Sequence, residues 1–172
     1  MQGNPLSDGS SAPDGARRAT PTERRAQITM EIVERTGIDD PMIQLLVSTF
    51  YHKVRADQLL GPIFEERISD WGYHLERMCA FWSSVALMSG RYQGRPMEKH
   101  LALPVDARHF DRWLELFEET AQQVCAPSAA AHFVERARNI AESLELGIAA
   151  QSGRRLMKGE RLTAPSCESP VD

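Results

Sequence analysis

Apolar positions recur every three or four residues through most of the chain, the period of helices that bury one stripe. Residues 24–36 read as a short, weak helix closed by Gly37. Asp40 reads as an N-cap with Pro41 at the first helical position, where a missing N–H costs nothing. Met42, Leu45, Leu46, Phe50 and Val54 then follow at helical spacing, until Leu60-Gly61-Pro62 breaks the helix. Ser69 or Asp70 caps a long helix with Trp71, Leu75, Met78, Trp82 and Val85 on one stripe. Gly90 and Gly94 bracket a loop, and Pro96 opens a very short helix that Pro104 ends. Phe110, Trp113, Leu114, Phe117 and Val124 line the next helix. Pro127-Ser128 restarts the chain, and Phe133, Ala137, Ile140, Leu144 and Ile148 line the last one. No segment alternates apolar and polar residues long enough for a strand. The fold class is all-α, helices packed on helices.

Composition bounds the folded part. Residues 1–25 and 152–172 are rich in Gly, Pro, Ser and charge and poor in large apolar side chains, so both are expected to be disordered tails. Residues 26–151 remain as one folded domain. The net charge is −4, yet each tail is slightly basic, so the folded part is the more acidic. That argues against nucleic acid, whose binders gain affinity by cancelling phosphate charge. No apolar run approaches the roughly 20 residues of a membrane span, and the N-terminus lacks a signal-peptide core, so no membrane association is expected. Cys79, Cys125 and Cys167 are odd in number and far apart. This disfavours a disulfide framework and suits a reducing cytoplasm.

A few polar residues fall on the inward stripes. His74 shares one with Met78, Phe81 or Trp82, and Val85. His100 ends the short helix after Pro96, Trp113 lies on an apolar stripe, and Tyr51 adjoins Phe50. Buried Tyr, His and Trp need hydrogen-bond partners or a ligand. Each alone has a plainer explanation: a satisfied core histidine, a packing Trp, a half-buried Tyr. His52, His109 and His132 read as surface residues and Cys79 as a small buried hydrophobe. The paired Glu-x-x-His motifs of a di-iron bundle are absent, and the five histidines are too scattered for zinc. No Cys-x-x-Cys-His, Gly-x-Gly-x-x-Gly or P-loop occurs.

Phe50-Tyr51 through Asp57, then Leu60-Gly61-Pro62-Ile63-Phe64, resembles the second helix and following turn of truncated haemoglobins. Trp71-Gly72-Tyr73-His74, Phe81-Trp82, Tyr92 through Pro104, and Phe110 through Phe117 resemble group III in particular. The likeness spans about residues 38–150. It implies a truncated globin fold, a two-over-two helical sandwich, and haem b as cofactor. His100 would be the proximal iron ligand and Phe64 would pack on the porphyrin. Tyr51, His74 and Trp113 would line the distal side, with Met78 and Phe81 or Trp82 as apolar wall. Arg91, Arg95 and Lys99 flank the proximal segment and are either partners for the haem propionates or simply solvated loop charges. The ligands implied are dioxygen, nitric oxide and carbon monoxide. A hydrogen bond to a charged group is worth about 1.5–3 kcal/mol, so each distal donor would retain a ligand roughly ten- to a hundredfold longer. Such retention favours ligand chemistry, scavenging or sensing over bulk oxygen transport. Two alternatives stay open. One is a haem enzyme, nitric oxide dioxygenase or peroxidase-like, fed by an external reductase. The other is a haemless helical interaction domain.

Overall fold

The computed structural model describes residues 18–157 and 159–163, which form helices without strands. The helices are α1 (Pro21–Thr36), α2 (Asp40–Ala56), α3 (Gly61–Arg67), α4 (Trp71–Leu87), α5 (Pro96–His100), α6 (Ala107–Val124) and α7 (Pro127–Gln151). α2 packs on α4 and α6 on α7, while α2 crosses α6 and α4 crosses α7. This is the expected two-over-two sandwich. α1 lies against α4 and α7, and α7 alone among the helices carries α5.

Aromatic rings lock the four long helices together. Trp82 of α4 stacks on Phe117 of α6 at 4.6 Å and meets Phe133 of α7 edge-on at 6.0 Å. Phe50 of α2 meets Phe117 edge-on at 5.1 Å. All four are fully buried. Such ring pairs add about 0.5–1.5 kcal/mol each beyond the area they bury.

Several boundaries differ from the sequence reading, each for a local reason. The N-cap of α2 is Asp39, whose carboxylate accepts from the Met42 amide at 2.8 Å; Asp40 is already helical and pairs with Arg91 at 2.7 Å. The buried stripe of α2 runs through Ile43, Leu46, Val47, Phe50, Tyr51 and Val54, which leaves Leu45 51% exposed. α2 already stops at Ala56, with Asp57 as its C-cap, and Gly61 and Pro62 open α3 instead. A Cβ on Gly61 would stand 2.8 Å from the Arg55 carbonyl oxygen, so only glycine allows that approach.

The expected tails are in part structured. Thr20 and Glu23 form a capping box that starts α1 at Pro21, well before residue 26. At the other end, the chain beyond α7 returns to pack on α6 and α7, with Leu162 buried at 4% exposure. Arg161 and the Leu162 amide both meet the buried Glu145 carboxylate, which gives this polar stretch a fixed seat. Residues 1–17, Lys158 and 164–172, Cys167 included, lie outside the described residues. His132 is buried rather than superficial. Its Nε2–H donates to the Ala86 carbonyl at 2.9 Å and so satisfies an end carbonyl of α4. Thr29 of α1 does the same for Leu87 at 2.6 Å.

Candidate functional site

A cavity of about 760 Å³ opens between α2, α3, α4, α5, α6 and α7. Tyr51, Phe64, His74, Met78, Phe81, Trp82, His100 and Trp113 all line it, although they come from five helices. Its volume and largely apolar walls are those of a small-molecule or cofactor site.

On one side stands His100, at the end of α5. Its Nδ1 lies 2.7 Å from the Pro96 carbonyl oxygen. A carbonyl only accepts, so Nδ1 carries the hydrogen and the Nε2 lone pair stays available. This arrangement is usual for a metal-binding histidine, because the backbone bond fixes both tautomer and ring plane. Among the described residues no three His, Cys, Asp or Glu side chains gather, so His100 would serve as a lone protein ligand.

Tyr51, His74 and Trp113 line the same cavity from α2, α4 and α6. The Tyr51 and His74 rings meet edge-on at 5.0 Å, and Phe50 lies 5.4 Å from Trp113, which stacks in turn on Phe117 at 5.4 Å. Burial pushes the Tyr51 hydroxyl well above the ordinary phenol range, so it remains a donor. Burial, then the charges of His100 and Arg77, holds His74 below the usual imidazole value, so it stays neutral. Its Nε2 is buried without a hydrogen-bond partner. Such an orphan costs about 1–3 kcal/mol unless something in the cavity completes it. Trp71 leaves a second orphan, Nε1, with the Arg55 guanidinium 4.5 Å above its ring.

The rim is basic. Arg67, Arg77 and Lys99 line the same cavity as Asp70. Asp70 is engaged as the α4 N-cap, accepting from the Tyr73 amide at 2.9 Å. Arg77 lies between the Tyr73 and Tyr92 rings, 5.7 and 5.2 Å from their centres. Neither Arg77 nor Lys99 meets a carboxylate among the described residues, and Arg67 reaches only its neighbour Glu66, at 4.0 Å. Of the three cations that could face propionates, only Lys99 lines the cavity. Arg91 turns to Asp40 and Arg95 to Glu98 instead. The periodicity of buried positions carries no signal for Arg67 or Arg77, which are long polar side chains at an edge. His109 also lines the cavity, held at the start of α6 with Nδ1 2.9 Å from Asp106, while His52 is exposed as expected. Phe110, Ile140 and Leu144, read from the sequence only as core, complete the apolar lining.

Residues 32–145 match the bacterial-like globin family. A group 3 truncated hemoglobin of Campylobacter jejuni is 36% identical over 113 residues, which cover 63% of this chain and 89% of that protein. The crystal structure of a group III truncated hemoglobin from the same species superposes with a TM-score of 0.59 at 34% identity. That match covers 72% of this chain and 95% of the other.

Proposed function

Since the chain belongs to the bacterial-like globins, and among them to the group III truncated haemoglobins, we propose that its cavity takes up haem b to bind dioxygen, nitric oxide and carbon monoxide. The observation that carries this reading is the His100 ring, tied at Nδ1 to the Pro96 carbonyl and left free at Nε2 on the wall of a large apolar cavity. When bound, haem would supply an iron for His100 to hold and for a small ligand to bind.

The chain's own residues divide the remaining work. Phe64, Met78, Phe81 and Trp82 provide the apolar faces that exclude water and grip a flat ring system. Arg67, Arg77 and Lys99 line the same cavity and would neutralise carboxylates at the edge of that ring, and Arg77 and Lys99 pair with no acid among the described residues. Tyr51 and Trp113 would offer O–H and N–H donors to a ligand in the cavity, and neutral His74 would add a third in the tautomer that carries hydrogen on Nε2. None of these donors needs to move, because the rings around them hold each in place.

A ligand that gains negative charge on binding is therefore retained rather than quickly released. This favours ligand chemistry, scavenging or sensing, and any sustained turnover would draw electrons from an external reductase. The unpaired thiols of Cys79 and Cys125, both raised by burial, fit a reducing cytoplasm. The test is the oxygen dissociation rate of the reduced, haem-loaded chain. Tyr51→Phe and Trp113→Phe should each speed release by roughly ten- to a hundredfold, the worth of one hydrogen bond to a charged acceptor. Release at the wild-type rate in both variants would remove the donor argument.

A further inference from the structure

The segment after α7 lies beyond residue 145, where the family match ends, yet it is built into the molecule. Leu162 and Leu156 pack against Phe110, Ala141, Ile148 and Ala149. The Leu162 carbonyl accepts from the Ala107 amide, at the start of α6, at 2.7 Å. Arg161 spreads its guanidinium over both helices, with Nε 3.0 Å from Glu145 on α7 and Nη2 2.7 Å from Asp111 on α6. The Leu162 amide donates to the same Glu145 carboxylate at 2.7 Å. The segment is thus a strap across the end of the α6–α7 pair.

The same end of α7 carries α5. Met97 packs directly on Gly147, where a Cβ would collide with the thioether. α5 has only five residues, far short of the roughly 12–15 an isolated helix needs, and α7 is the one helix beneath it. Helix ends fray unless their terminal groups are engaged. The strap engages Glu145 two residues before Gly147, and its Leu162 packs on Ile148 one residue after it.

We propose that Arg161, through its bonds to Glu145 and Asp111, is a positioning residue for His100: the strap fixes the last turns of α7, and those turns fix the short helix that aims the imidazole. The inference rests on the haem reading for its spectroscopic test but not for its mechanical one.

The experiment compares the full chain with Arg161→Ala, Glu145→Gln and Arg161→Lys. In the haem-loaded, reduced, ligand-free form, resonance Raman reads the iron–histidine stretch. Arg161→Ala and Glu145→Gln should shift or broaden that band and speed haem loss by about three- to tenfold. The C–O stretch of the carbon monoxide form, which reports the Tyr51–Trp113 side, should hold its position. Arg161→Lys keeps the charge but loses the fork, and should restore part of the effect. In the same chains without haem, amide exchange over residues 96–104 should quicken in Arg161→Ala while α2 stays protected. An unmoved iron–histidine band together with unchanged exchange over 96–104 overturns the proposal. A wild-type chain that takes up no haem overturns the haem reading alone, and the exchange experiment still decides the strap.

Discussion

On one wall of the cavity, Tyr51 and Trp113 stand on helices of 17 and 18 residues, meshed through Phe50 and Phe117. On another wall, His100 ends a helix of five residues that among the helices leans on α7 alone. The first wall is rigid because it belongs to the core, and its donors are fixed by the same rings that hold the fold together. The second is held by local contacts, among them the His100–Pro96 bond and the Met97–Gly147 contact, to which the proposal adds the strap at Arg161. Stability and donor placement are therefore inseparable on one side and separable on the other.

Removing the central imidazole separates the walls most sharply. His100→Gly should abolish axial ligation in the haem-loaded chain, seen as loss of the histidine-ligated spectrum, and added imidazole should restore it. His74→Gly should keep the axial ligand and alter only ligand retention. Equal spectral damage from both would break the distinction between the walls.

Next in size is the cost of truncating a packing residue. Phe117→Ala should destabilise the chain by about 3–5 kcal/mol in denaturant unfolding, because Trp82 and Trp113 both stack on that ring. Met97→Ala, half-buried on the other wall, should cost no more than about 1–2 kcal/mol. A larger loss at Met97 than at Phe117 would reverse the account of which wall belongs to the core.

The smallest effect concerns acid. Burial raises Asp57, but the Leu60 amide, the Arg112 guanidinium and the Leu59 amide outweigh it and leave the carboxyl below its ordinary value. Asp57 thereby ties the end of α2 to α6, the helices of Tyr51 and Trp113. A carboxyl lowered by folding adds stability above its unfolded value of 3.8, and that stability is lost as pH falls through the folded value. Asp57→Asn should thus be less stable than wild type near neutrality, with the gap in thermal unfolding closing as pH falls below the unfolded value and through the lower folded one. A gap independent of pH would mean that the carboxylate charge contributes nothing.

The same contrast explains what was legible in the sequence. Long stripes such as Phe50–Val54 and Trp82–Val85 announce themselves by period, and they carried the fold class and the cavity-lining residues Tyr51, His74 and Trp113. His100 has no period to place it, since α5 is barely one turn; only the likeness to a family points to it. Arg77 and Arg67 escaped because a rim cation looks like any solvated charge until the surrounding acids are found to be engaged elsewhere. Leu45 and His132 misled for a related reason. Each was assigned by type or spacing, whereas burial depends on which neighbour lies across from it. Arg161 and Leu162 were taken for tail because a strap of this length has no pattern of its own; their order comes from a carboxylate 16 residues earlier.

The measurement closest to the central claim is a titration of the purified full chain with haemin, followed by reduction and exposure to carbon monoxide. The account predicts saturation at one haem per chain, an intense Soret band, and a carbon monoxide complex whose formation requires His100 for the histidine-ligated spectrum. Weak, unsaturable uptake, or spectra identical between wild type and His100→Gly, would contradict it.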